Sequence, residues 1–293
     1  MAITFDTLSW SNRHARQVYE ELRVKPGVDK GYLRFIDPSF PYSVRMEREI
    51  PGAHRHSMIV SDLAASTAYK LGLNADETRV IGILHDGAKL EAPGLFAGSL
   101  EGDRGDRKEL QTFEEVMIIL RHPVRSYEIA LRYGIPKEAA LRIPEHHGTV
   151  ETMVKMRPEV MAKFWPQTPH YEFGIPSDQI SALIMAADCC GAAADGALRT
   201  IGQTNMVPTR AEISTKISRI FGELRLWKQF DENIFPIATQ EFVIKHFEEW
   251  FVRFYNNMRV FGTPREGDQP IADGRLDMTQ PRNILSAGSR HNL

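Results

Sequence analysis

The chain has 293 residues, 42% hydrophobic and 25% charged, with a formal net charge of −2 and a pI of about 6.6. Such values describe an ordinary soluble globular protein, exclude fibrous and disordered classes, and lack the basic excess that argues for duplex nucleic acid as a main partner. The two cysteines, Cys189 and Cys190, are adjacent, so no disulfide framework holds the fold and a reducing cytoplasm is the expected location.

Taken in chain order, the first residues lack a basic segment leading into an apolar run. Nowhere do about 18 apolar residues follow one another, so neither secretion nor a membrane partner is expected. Residues 1–50 contain PSFPYS and read as a less regular extension packing on the core. From His56, the residues Ile59, Leu63, Ala64, Ala68 and Leu71 recur at helical spacing, and Gly72 follows where a helix ends. Asn74, with Glu77 three residues on, should cap a second helix through Val80, Ile81 and Leu84 that delivers His85 and Asp86 near its C-terminal end. The glycine-rich, charged stretch Glu91 to Lys108 reads as an exposed loop or as a lid.

A third helix is predicted from about Glu109, with Phe113, Val116, Met117 and Leu120 on one face, halted or bent at Pro123 just after His122. Another runs to Gly134. Pro136 should open a short helix through Ala140 and Ile143 that reaches His146 and His147, with Pro144 distorting it. The small-residue series from Ile180 to Ala194 predicts a closely packed helix with Asp188 in its middle. Two later apolar stripes, Ile213 to Leu224 and Phe242 to Phe254, predict core helices. No alternating strand pattern and no fixed-period repeat is legible. The expected fold class is therefore all-α, with a main domain over 51–262 and a polar C-terminal tail over 263–293.

Five of the ten histidines, His56, His85, His122, His146 and His147, fall at or beside predicted helix ends, with carboxylates at Asp86 and Asp188. Imidazole and carboxylate donors suit iron, manganese, zinc or nickel better than calcium. Seven such side chains exceed one ion's needs. They would hold two divalent transition metal ions, with Asp86 bridging, and paired ions are suited to in-line attack on phosphorus.

The order H, HD, H, HH, D on successive helices resembles the HD superfamily of metal-dependent phosphohydrolases. The segments PGAHRHSMIVSDLA, ILHDGAKL, the GIP turn, PEHHGT and MAAD are similar, in particular, to the cytoplasmic HD domain of seven-transmembrane-receptor HD phosphodiesterases, which hydrolyse cyclic di-AMP. The likeness spans about residues 51–262 and takes in PTRAEISTKI. It implies an HD-domain helical bundle whose first metal is bound by His56, His85, Asp86 and Asp188, and whose second is bound by Asp86, His122, His146 and His147. It also implies a metal-bridging hydroxide as nucleophile, with Asp86 and Lys89 as catalytic residues, Lys89 standing at the lysine of the family's HDxxK stretch. Arg125, one turn beyond His122, is a candidate substrate contact beside Lys89, because a guanidinium can fork onto phosphoryl oxygens. Iron or manganese is the expected metal, and the expected partner is a small nucleotide such as a cyclic dinucleotide.

The sequence departs from the family at Gly87-Ala88 and at Pro144, and no membrane portion is legible. Two other functions remain open at this point: a mixed-valent di-iron oxygenase of the HD type, and a non-catalytic nucleotide-binding domain. The adjacent histidines of EHHGT weigh against the first, and the complete ligand set weighs against the second.

Overall fold

The computed structural model describes residues 7–25, 27–100, 112–151, 163, 170–204 and 206–260. Among them no strand forms; the sole extended pairing is a bridge between Glu151 and His170. The architecture is all-α.

The helix α4 (Pro51–Leu71) runs through the centre, with 15 of its 21 residues buried, as a helix must when apolar packing surrounds it. Three preceding helices, α1 (Thr7–Val24), α2 (Lys30–Ile36) and α3 (Pro41–Glu49), lie against the same body. They contribute Phe35, Tyr42 and Met46 to one continuous core. The second long wall is α5 (Ala75–Leu84), which packs on α4. Gly82 makes that approach feasible, because a Cβ there would stand 2.5 Å from the Ser61 Cα.

After α5 come a short 3-10 turn (Gly87–Glu91), α6 (Pro93–Leu100), α7 (Phe113–Arg132), α8 (Lys137–Ala140) and a second 3-10 turn (Pro144–His147). The bundle is completed by α9 (Gln179–Thr204), which packs on α4, and by α10 (Arg210–Leu226) and α11 (Ile237–Val260). Within α9, Gln179–Leu198 is long and apolar enough to cross a membrane by length and composition, with a mean hydropathy of 1.3. In this fold 72% of that stretch is buried, and it presents small residues and two aspartates to other helices, as a core helix does.

Local chemistry sets the ends. Asn74 caps α5 by accepting from the Glu77 N–H at 3.1 Å, as expected. Thr112 with Glu115, and Thr209 with Glu212, form reciprocal capping boxes on α7 and α10. Gly72 and Gly134 close α4 and α7 with φ of 73° and 83°.

Five expectations need correction. The stretch 1–50, expected to be less regular, forms α1, α2 and α3 among its described residues. Helix α4 begins at Pro51 rather than His56, because Pro51 takes the first helical position, where its missing N–H costs nothing. Helix α7 is not halted at Pro123 but continues through it to Arg132, so the two expected helices are one. The helix expected to run from Pro136 to the double histidine stops at Ala140 and restarts as a 3-10 turn at Pro144. Within the predicted loop 91–108, residues 93–100 form α6, which buries Phe96; residues 101–108 and the tail 263–293 lie outside the described residues.

Candidate metal centre

The candidate ligands come from helix interiors at His56, His122 and Asp188 and from helix ends or 3-10 turns at His85, Asp86, His146 and His147. His56 stands in the second turn of α4 and Asp188 midway along α9, where these two helices cross. Gly191 keeps the crossing close: a Cβ on it would lie 3.2 Å from His56 Cε1 and 3.1 Å from Val60 Cγ2. His85 caps the end of α5, and Asp86 follows in a non-helical conformation, φ −102° and ψ 17°, which turns its carboxylate into the interior. The buried Ser126 hydroxyl accepts from the Ala88 N–H at 3.0 Å and pins this turn to α7.

Pro123 explains the geometry of His122. A proline has no N–H, so the carbonyl four residues back, Ile119, loses its helical donor. His122 takes that place, donating from Nδ1 to the Ile119 carbonyl at 2.6 Å. His85 does the same to Gly82 at 2.7 Å, and His146 to Ile143 at 2.6 Å. A carbonyl can only accept, so in all three rings Nδ1 carries the proton and Nε2 is the ligating atom in the neutral form.

The seven side chains converge. His56, His85 and Asp188 form one trio, His122, His146 and His147 a second, and His85, Asp86 and His146 a third between them; within each, the donor atoms lie within 4.8 Å of one another. His56 Nε2 meets Asp188 Oδ1 at 2.8 Å. Asp86 reaches both sides, with Oδ2 3.2 Å from His85 Nε2 and Oδ1 3.3 Å from His122 Nε2. His147 Nε2 lies 3.2 Å from His122 Nε2 and its Nδ1 3.7 Å from Asp188 Oδ2.

The donor set fits metal. His85 Nε2, Asp86 Oδ1 and His146 Nε2 are buried and make no hydrogen bond. Buried polar atoms without partners are costly, and three of them aimed at a common point are what cation coordination satisfies.

Electrostatics divide the site. Burial lowers the imidazole pKa of His56 and His85, but the Asp188 carboxylate, with Asp195 at His56 and Asp86 at His85, outweighs it and carries His85 up to about 10. Burial opposes ionisation of Asp86 and Asp188, yet Lys89 and His85 at Asp86, and His56 and His85 at Asp188, hold both carboxyls well below their usual range. On the other side, burial and neighbouring imidazoles push His146 far down and His147 to about 3.

Lys89 lies beside Asp86, its Nζ 2.5 Å from Asp86 Oδ2 and 5.6 Å from the Phe96 ring centroid. Arg125 is not gathered into the centre: its guanidinium is held by Glu91 at 2.7 Å and by Glu128, so its fork is already occupied. His54, two residues before His56, is buried apart from the three trios.

Sequence reading missed the supporting residues. Asp195, 1% exposed, accepts from His56 Nδ1 at 3.1 Å and pairs with Arg55 at the same distance. It fixes the His56 ring as outer carboxylates fix ligating imidazoles. Its position, seven residues after Asp188 and so on the same helix face, was a signal available in the sequence. Tyr171 stacks on His147 at 4.3 Å with an 18° tilt; it lies in a segment without periodicity, and nothing local announced it.

Comparison with known proteins agrees with this geometry. Residues 54–193 match the HD domain family model. An uncharacterized protein of Synechocystis sp. is 28% identical over 197 residues, which is 64% of this chain and 23% of that protein. The cyclic-di-AMP phosphodiesterase PgpH of Listeria monocytogenes is 28% identical over 206 residues, 68% of this chain and 27% of PgpH, and PgpH of Bacillus subtilis is 26% identical over 117 residues, 40% and 16% respectively. The chain thus spans about a quarter or less of the length of these relatives. The L. monocytogenes PgpH HD domain in complex with cyclic-di-AMP superposes with a TM-score of 0.61 at 24% identity, over 75% of this chain and 100% of that one. A second crystal structure of the L. monocytogenes PgpH HD domain gives 0.59 at 24% identity, over 73% of this chain and 99% of that one. Residues 54–193, which gather the five imidazoles and two carboxylates, thus match the HD domain family, and the helices around them share the fold of the PgpH HD domain.

Proposed function

We propose that this protein is a phosphodiesterase that hydrolyses a nucleotide phosphoester, with a cyclic dinucleotide such as cyclic di-AMP as substrate. The observation that carries the reading is the meeting of two donor trios at Asp86, with buried ligating atoms left unpartnered. His56, His85, Asp86 and Asp188 would hold one divalent ion, and Asp86, His122, His146 and His147 a second, with iron or manganese the expected metals. Bound there, the pair supplies Lewis acidity toward phosphoryl oxygens and toward water.

The chain's own groups do the rest. Asp86 joins the two halves and anchors Lys89, whose ammonium lies against the carboxylate and so stands ready to meet phosphate charge or to give a proton to the leaving oxygen. His147, with 22% of its side chain exposed, is the most open of the histidines in the centre and marks the side from which substrate would enter. The curated relatives named as cyclic-di-AMP phosphodiesterases support the substrate. Free cysteines without a disulfide support a cytoplasmic setting.

The test is a substrate panel. Protein loaded with manganese or iron is offered cyclic dinucleotides, linear dinucleotides, nucleoside triphosphates and generic phosphodiesters, with and without air. The expected result is oxygen-independent hydrolysis of a cyclic dinucleotide; product formed only with dioxygen would sink the hydrolase reading, and turnover confined to triphosphates would sink the substrate.

A further inference from the structure

Helix α9 has two working faces. Asp188 and Asp195 point to the metal centre, whereas Cys190, Ala194 and Ala197, on the other side of the helix, wall a cavity of about 430 Å³ shared with α10 and α11. That volume is within the range of small-molecule pockets. The walls are apolar: small residues on α9 face Ile217 and Ile220 of α10 and Phe251 of α11. None of these residues belongs to the metal-binding trios.

A second cavity of about 280 Å³ adjoins it, sharing Val207, Pro208, Ile213 and Tyr255, and has a different lining: Thr209, Arg210 and Asn256. Tyr255 stands at the junction. It is 4% exposed, and its hydroxyl makes no hydrogen bond among the described residues. A buried phenol usually finds a partner for its polar end, and Tyr255 lines both cavities.

Cations outnumber acids among the lining residues, Arg210 and Lys216 against Glu212. Arg210 and Lys216 are exposed and make no ion pair among the described residues. Glu212, the acid beside them, is committed to the α10 cap, accepting from the Thr209 N–H at 2.7 Å and the Thr209 hydroxyl at 2.8 Å. A mostly apolar chamber with Lys216 at its wall, adjoining a polar one lined by Arg210, is complementary to a molecule with an apolar body and an anionic head.

We propose that the two cavities form one site for an amphipathic small molecule, its apolar body lying between α9, α10 and α11 and its anionic head, carboxylate or phosphate, beside Arg210 and Tyr255. The site is separate from the metal centre, and its existence does not depend on the substrate proposed above.

The test is calorimetric titration of the full chain with dodecanoate, dodecyl phosphate and dodecanol, each below its micelle threshold. One dodecanoate or dodecyl phosphate should bind per chain, and the tighter of the two identifies the head group. Ala194→Leu, which puts a larger side chain into the apolar chamber, should weaken both anions by about tenfold or more. Arg210→Glu, an exposed change that leaves the core alone, should weaken both anions by about tenfold while leaving dodecanol unchanged. Should Ala194→Leu fail to fold, Arg210→Glu and Tyr255→Phe decide the matter by the same comparison of anion with alcohol. No saturable binding of either anion, equal binding of dodecanol, or unchanged affinity in both Arg210→Glu and Tyr255→Phe would overturn the proposal.

Discussion

The two halves of the metal centre are built on opposite principles. On the α4–α9 side, His56 and His85 are held between carboxylates that favour the protonated ring and carry the His85 pKa up to about 10. On the α7 side, three imidazoles crowd together with burial and mutual repulsion, and His146 and His147 stay neutral. One half attracts a cation by negative charge and must shed protons to take it; the other offers lone pairs that are already free. Asp86 belongs to both. The lesson is that one fold can set a charged and a neutral donor set side by side around a shared carboxylate.

The most disruptive way to break the comparison is Asp86→Ala. Both halves should lose their ion and hydrolysis should fall to background, as read by metal analysis and by rate; full metal content at full rate would refute the bridging role. Asp188→Asn should separate the halves, lowering bound metal from two ions per chain toward one, because only the carboxylate side loses charge. An equal loss from both would show that the halves are not independent.

Removing a supporting carboxylate should matter less. Asp195→Asn leaves every proposed ligand in place but deprives His56 of its negative partner, so metal affinity on that side should weaken by about 10–100-fold, while the three-imidazole side holds. Calorimetric metal titration showing two classes of site would resolve this.

The smallest effect sharpens the contrast through pH. His85 has a folded pKa raised to about 10, so its contribution to the metal-free fold is complete below the ordinary value of about 6.5 and disappears as pH rises toward 10. His147, depressed to about 3, behaves oppositely, adding a cost as pH falls from about 6.5 toward 3. Melting temperature with chelator present should therefore decline on both flanks, and loading with manganese should flatten the alkaline flank. At pH 7 metal uptake should release protons, detectable as a dependence of the binding heat on buffer; the absence of proton release would refute the charged half.

Much of this was legible before any coordinates. Asn74 capping α5, Gly72 closing α4 and the apolar stripes of α10 and α11 follow from short-range rules, because caps and amphipathic faces depend on residues within one or two turns. The seven donors were legible as well, from their residue types and their order H, HD, H, HH, D along the chain. Helix continuity was not. Pro123 reads locally as a stop, yet packing carries α7 through it, and the carbonyl it frees becomes the acceptor that orients His122. Likewise, Arg125 reads as a phosphate contact until the fold brings Glu91, 34 residues away, to its guanidinium.

By itself, then, the sequence determined the all-helical class, the Gly72 and Asn74 caps between α4 and α5 and the inventory of imidazoles and carboxylates, because those rest on periodicity and on side-chain type. Tertiary structure alone decided which donors share a half, that Asp195 backs His56 and Tyr171 backs His147, and that α9 separates a charged centre from an apolar chamber. Those facts depend on contacts between residues 20 to 140 positions apart, and no local pattern encodes the crossing of two helices that meet only after the whole chain has folded.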